Sequence, residues 1–152
     1  MRDKGNRRVN PKLSATGRSL PIALLRAREM VMEPYRTMLH ASNISEQKWR
    51  VLRVVHEMGP VGQARIAEAA CLMMPSLTRI LKSMEQDDLL SRENDAQDRR
   101  TTLVSITEKG RHLIAEHSSK SAEITTKLAD QFGQERLDTL LDLLEDLRKQ
   151  KI

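Results

Sequence analysis

Hydrophobic positions recur at helical spacing along most of this chain, and one stretch breaks the habit. In residues 75–106, Leu77, Ile80, Leu81 and Met84 mark one face of a helix starting at Pro75, where proline loses no hydrogen bond because first-turn N–H groups have no helical partner. Residues 89–93 and 101–106 follow as two short β-type runs of leucine, threonine, valine and isoleucine. They flank a loop of Asn, Asp and Gln that ends in two arginines. A helix running into a β-hairpin predicts a winged helix, with that loop as the wing.

Upstream, residues 20–41 are apolar-rich, and Ile22, Leu24, Leu25, Met30, Val31, Met32, Tyr35, Met38 and Leu39 wrap more than one face. Such a helix needs cover on several sides. Pro34 lies inside it, and an interior proline removes a backbone bond and crowds the preceding turn, so a kink is expected near residues 30–34. Asn43 or Ser45 can cap the next helix, Glu46–Met58, on which Trp49, Leu52, Val55 and Met58 share a side and which Gly59-Pro60 ends. Residues 60–62 read as an extended link, 63–70 as a brief helix and 71–74 as the turn into the Pro75 helix, giving a helix-turn-helix.

Downstream, Thr107 can cap a long helix from Glu108 that Gly133 breaks. Residues 135–149 form a last helix carrying Leu137, Leu140, Leu141, Leu143, Leu144 and Leu147. One small winged body cannot cover that much apolar surface, so a homodimer built from both chain ends is expected. The fold class is therefore mainly α with a small β-hairpin wing, a winged helix-turn-helix flanked by N- and C-terminal dimerisation helices. Residues 1–19 make a flexible basic arm and 20–152 one domain. Within that domain the winged-helix part covers about 45–106, and the dimerisation parts cover about 20–42 and 108–150.

Composition narrows the chemistry. Among 152 residues, 39% are hydrophobic and the aromatics are Tyr35, Trp49 and Phe132 alone, so the core must be aliphatic and methionine-rich. One cysteine, Cys71, excludes an internal disulfide and a multi-cysteine metal site, and suits a reducing compartment. No apolar run reaches the roughly 20 residues of a membrane span, and the N-terminus is too polar for a signal peptide. A cytoplasmic protein without membrane contact is expected. His40, His56, His112 and His117 are scattered, with no cysteine or carboxylate at metal-ligand spacing, no glycine-rich phosphate loop and no supported Ser/His/Asp set. The expectation is no enzyme, no metal and no cofactor.

Charge is informative by its location. The formal net charge is +5, and Arg2, Lys4, Arg7, Arg8, Lys12 and Arg18 against Asp3 account for all of it within residues 1–19. The body is neutral, so any nucleic-acid binding depends on placed residues, with the arm either adding salt-sensitive attraction to phosphates or standing as a solvated tail. On the Pro75 helix, Pro75, Ser76, Thr78, Arg79 and Lys82 lie near the N-terminus, away from the core-facing leucines, where a helix entering the major groove meets base edges. Arg79 suits bidentate pairing with guanine; Ser76, Thr78 and Lys82 suit phosphates or thymine. The alternative is a plain solvated face. In the wing, Gln97, Asp98, Arg99 and Arg100 sit at the tip, where an arginine can enter a minor groove, or Arg100 can pair with Asp98 and only shape the loop.

The chain resembles the MarR family of bacterial winged-helix regulators over about residues 20–147. The most specific part is PSLTRILKSMEQDDLLSRENDAQDRRTTLVSITEKG, with Asp-x-Arg at Asp98 to Arg100 and a closing Leu-x-x-x-Thr-x-x-Gly from Leu103 to Gly110. Within the family, IALLRARE, SEQKWRVLR and ACLMMPSLTRIL are similar to regulators of aromatic-acid catabolism. The resemblance implies a triangular homodimer on a pseudo-palindromic operator in double-stranded DNA. It also implies a repressor released by a small phenolic or aromatic carboxylate bound between the dimerisation helices and the winged body. Carried onto this chain, that pocket involves Arg26 or Arg28 as the carboxylate partner, with His40, Trp49 and Arg50 nearby. The residue before the Pro75 helix is a methionine where a polar cap is expected, and the basic arm lies outside the family pattern.

Two other readings compete with the ligand-responsive regulator. Oxidation of Cys71, just before the recognition helix, would make a thiol switch, against a buried, inert cysteine among Ala69, Ala70 and Leu72. A winged helix can also be a protein-interaction module, and the neutral body is compatible with that.

Overall fold

The computed structural model describes residues 15–152, so most of the expected basic arm lies outside it. In chain order, a 3-10 turn at Thr16–Arg18 leads into α1 (Leu20–His40), α2 (Glu46–Met58), β1 (Val61–Gly62), α3 (Gln63–Ala69) and α4 (Met74–Gln86). β2 (Leu90–Asn94), β3 (Thr102–Ile106), α5 (Glu108–Phe132) and α6 (Gln134–Arg148) follow. The chain divides into two compact units, Met1–Glu33 and Pro34–Ile152. The boundary falls at Pro34, through which α1 stays helical. In the described part of the first unit, Leu20, Leu24, Leu25 and Met30 are all exposed.

The second unit has the expected winged helix at its centre. The sheet order is β1-β3-β2 and all pairing is antiparallel, with Leu90 opposite Ile106 and Arg92 opposite Val104. Residues 61–62, expected as a link, are instead an edge strand, with Val61 opposite Val104 and Gly62 opposite Leu103. The two-residue run is too short to show alternation, which is why its pairing is invisible in the sequence. Val104 in the central strand is fully buried. Around it pack Val51, Leu52 and Val55 of α2, Ile66 of α3, and Leu77, Leu81 and Met84 of α4. Ile80 lies half-buried against the same core, whereas Met58, expected on the inner face of α2, is exposed.

Local chemistry sets the element ends. Ser45, not Asn43, caps α2: its Oγ accepts the Lys48 N–H at 3.1 Å. Asn43 instead ends α1 in the left-handed region at φ 50°, which lets Ile44 N–H reach back to the Leu39 carbonyl at 3.3 Å. The same device ends α3 at Cys71 (φ 52°) and α4 at Asp88 (φ 58°), where Leu72 and Leu89 donate to the Ala67 and Met84 carbonyls, each at 2.9 Å. Thr107 caps α5 as expected, accepting Gly110 N–H at 3.0 Å while its own hydroxyl donates to the Asp88 carbonyl at 2.6 Å. Gly110 has no room for a side chain, because a Cβ there would meet the Leu89 carbonyl and come within 2.7 Å of Ile106 Cγ1. Threonine and glycine at this spacing thus weld α5 to the base of the wing.

Candidate nucleic-acid interface and ligand groove

The buried stripe of α4 fixes which of its residues face outward. With Leu77, Leu81 and Met84 inside, Pro75, Thr78, Arg79 and Lys82 are exposed and Ser76 is half-buried. Thr78 Oγ1 donates to the Met74 carbonyl at 2.9 Å, so its proton is committed to its own helix. Arg79 and Lys82 have no ion-pair partner among the described residues. α4 opens one residue before Pro75, with Met73 at the N-cap and no side-chain cap, so its first-turn N–H groups keep their hydrogen-bonding capacity for an outside acceptor.

Two aspartates build the wing tip. Asp95 Oδ1 accepts Gln97 N–H and Asp98 Oδ1 accepts Arg100 N–H, both at 3.0 Å, and Asp95 N–H closes the loop on the Thr101 carbonyl at 2.8 Å. Asp98 therefore shapes the turn through the backbone and Thr101, while no ion pair joins it to Arg100. Gln97, Asp98, Arg99 and Arg100 are all exposed, and neither arginine has an ion-pair partner among the described residues. Arg92 at the wing's base differs: its Nε donates to Glu85 of α4 at 2.6 Å, tying wing to helix. Of the five cations in the expected recognition stretch, four have no ion-pair partner among the described residues and one is structural, a sorting that net charge could not reveal.

A separate groove of about 450 Å³ runs between α2 and α5. Trp49, Arg53 and His56 line it from α2, one turn apart, and Ile114, Ser118, Ser121, Ala122, Thr125 and Thr126 line it from α5. Trp49 is 6% exposed, so the buried structural reading and the groove-wall reading both apply to it. Arg53 is exposed and has no ion-pair partner among the described residues. Thr125 Oγ1 donates to the Ser121 carbonyl at 3.1 Å, so the 2.9 Å bond to Tyr35 is donated by the tyrosine hydroxyl. Ser118 similarly donates to the Ala115 carbonyl at 2.8 Å. The Ser118 and Thr125 hydroxyls, two of the four that line the groove, therefore offer lone pairs opposite Arg53.

Of the other residues expected to hold a ligand, His40 and Arg50 belong to the second unit and Arg26 and Arg28 to the first. Arg50 does not line the groove, and its Nε is buried with no hydrogen-bond partner among the described residues. His40 is exposed at the end of α1, and in the first unit Arg26 is exposed while Arg28 is half-buried beside Glu29 at 3.3 Å. Arg53 was legible in the sequence and still missed: on the expected helix Glu46–Met58 it stands a full turn from Trp49, at i+4, on the same face, whereas Arg50 does not. Cys71 is exposed, against the expectation of burial. The left-handed residue at the end of α3 faces out, and its neighbours Ala70 and Leu72 supply the contact with the core. Among the described residues no cluster of His, Cys, Asp or Glu is arranged to hold a metal, and no helix is long and apolar enough to cross a membrane.

A helix-turn-helix with unpaired cations on its second helix and wing, beside a separate groove of small-molecule size, defines a winged-helix DNA-binding regulator. A sequence profile of the MarR family matches residues 44–102. The chain is 36% identical over 128 residues to the homoprotocatechuate degradative operon repressor of Escherichia coli, spanning 84% of this chain and 86% of that protein. Among solved structures, the transcriptional regulator PA4135 superposes with a TM-score of 0.82 at 34% identity, covering 88% of this chain and 98% of that one. NadR in complex with 4-hydroxyphenylacetate superposes at 0.77 with 33% identity, covering 86% and 96%. The chain belongs to the MarR family of DNA-binding transcriptional regulators, whose members are dimers.

Proposed function

We propose that this regulator represses an aromatic-acid catabolic operon in the cytoplasm and is released when a phenolic or aromatic carboxylate fills the α2–α5 groove. The observation that carries the reading is the convergence of Trp49 and unpaired Arg53 on one wall of that groove. An indole face receives a ring and a guanidinium takes a carboxylate through paired N–H donors. The lone pairs of Ser118 and Thr125 then suit a ligand hydroxyl. The similarity to the E. coli repressor and to NadR supports this ligand class. The chain acts as a binding protein and performs no catalysis.

On DNA, Arg79 reads a base edge, Lys82 and Ser76 hold phosphate, Thr78, its hydroxyl proton committed to Met74, offers its methyl to thymine, and Arg100 with Arg99 enters the minor groove beside it. Pro75 sets the start of the helix, and Gln97 and Asp98 shape the tip that aims the arginines. Two copies about 34 Å apart meet successive major grooves of a pseudo-palindromic operator. Ligand acts by favouring the dimer arrangement with the wrong spacing.

The test is binding to the promoter beside the regulator's own gene over a range of salt, with and without 4-hydroxyphenylacetate. Arg79→Ala and Arg100→Ala each weaken specific binding by about tenfold, within the range of one lost base contact. Arg53→Ala leaves ligand-free DNA binding intact and abolishes release by the carboxylate. Wild-type binding no tighter than to random DNA removes the reading. A second reading has the exposed thiol of Cys71 in its favour. Loss of operator binding under peroxide that Cys71→Ser prevents would establish it.

A further inference from the structure

We propose that His117 is a positioning residue for the effector groove: it holds the Trp49 ring that forms one wall and ties that ring to the turn between α1 and α2. The proposal rests on the groove reading above and concerns a side chain that does not itself line the groove. His117 is the one buried polar or charged side chain among the described residues, at 5% exposure. A buried imidazole is unfavourable unless it is hydrogen-bonded, and an apolar residue would fill the same space without that requirement.

The bonds it makes determine its orientation. His117 Nε2 lies 2.8 Å from Ser42 Oγ, and the Ser42 hydroxyl donates to Glu116 Oε1 at 3.4 Å. The short bond ties Nε2 to the turn whichever of the two groups donates, and with Nε2–H as donor the serine proton is left for Glu116. With that nitrogen anchored to the turn, the ring meets Trp49 edge-on, at 87° with centroids 5.6 Å apart. This T-shaped arrangement is the favourable one for aromatic pairs. One turn back and one residue on, Ile114 and Ser118 line the groove from the same helix. His117 thus stands behind the wall, and the relay from Glu116 through Ser42 sets the angle at which Trp49 is presented.

Trp49 is the chain's single tryptophan, so its fluorescence reports its own environment. The full-length dimer is compared with His117→Phe, which keeps a ring but loses the bond to Ser42, with His117→Gln, which keeps a donor but loses the ring, and with Ser42→Ala. Acrylamide quenching of Trp49 is measured without ligand, 4-hydroxyphenylacetate affinity by calorimetry, and operator affinity without ligand as the control. Both His117 variants are expected to raise the quenching constant and to weaken probe binding by about two- to tenfold, the range for one aromatic pair, with operator affinity unchanged. Ser42→Ala moves the same two readings by less.

Quenching and probe affinity equal to wild type in both folded His117 variants overturn the proposal. If those variants fail to fold by circular dichroism, Ser42→Ala decides it: no change in either reading overturns, and a shift in both supports. A wild-type protein that ignores the probe brings down the effector reading. Raised quenching in the variants would then still support the hold on Trp49, and unchanged quenching would overturn it.

Discussion

The core beneath α4 and the leucine row of α6 use the same residue type to opposite ends. Leu77 and Leu81 of α4 are fully buried against α2 and the sheet. On α6, Leu140, Leu141, Leu143, Leu144 and Leu147 are all exposed, and the helix has no buried residue at all. A winged helix closes over its own apolar face. Five exposed leucines on one helix mark a surface for a partner, and in a family of dimers we propose a second copy as that partner. The DNA-reading part therefore folds within one chain, whereas its placement on an operator is a property of two.

The sharpest way to break this contrast is to truncate one leucine of the closed core. Leu81→Ala removes a side chain at 1% exposure from a helix packed against α2, α3 and β2, so the cavity left behind is filled only in part by relaxation. A loss of about 2–5 kcal/mol is expected, read as a lower urea midpoint, and operator binding falls with the folded fraction. A loss near zero would mean that α4 is not seated as described.

Next in size is a change on the open face. Leu141→Glu together with Leu144→Glu places charge on exposed positions of α6, so the single chain should keep its helical circular dichroism. Sedimentation is expected to shift from dimer to monomer at micromolar concentration. Operator affinity then falls by several decades, because two half-sites are no longer bound together. A dimer that survives both substitutions would show that the α6 leucines serve something other than self-association.

These two faces also mark how far the sequence was legible. The α4 stripe and the wing loop were plain, since i, i+3, i+4, i+7 spacing and a polar loop between β-type runs leave few alternatives. The surplus of leucine at residues 137–147 was equally visible, and it pointed outward from the chain. What stayed hidden depended on contacts between distant residues. β1 is recognisable only from its pairing with β3. His117 looked like a lone helical histidine until folding brought Ser42, 75 positions earlier, to its Nε2. Of the two readings of Cys71 the buried one fails, because cysteine carries no preference for the left-handed region and nothing in its type announces a helix terminator facing solvent. Candidate arginines for DNA could be named by type, but which cation was committed to structure, Arg92 and not Arg100, required the bond to Glu85.

The smallest effect concerns how the two regions begin their helices. α5 opens on Thr107, which both caps the helix through Gly110 N–H and ties it to the Asp88 carbonyl at the end of α4. α6 opens on Gly133 at φ 97°, with no side-chain cap. Thr107→Val keeps the shape and removes both hydrogen bonds at once, leaving first-turn donors of α5 to water and the Asp88 carbonyl without this partner. The loss should be about 1–2 kcal/mol, read by urea denaturation at fixed protein concentration so that dimer formation contributes equally. If Thr107 only caps α5, operator affinity of the folded protein is unchanged. If its bond to Asp88 also holds the base of the wing in line with α4, affinity falls without any change in the dimer. Wing and recognition helix would then act as one rigid reader, which the open face of α6 merely delivers in pairs.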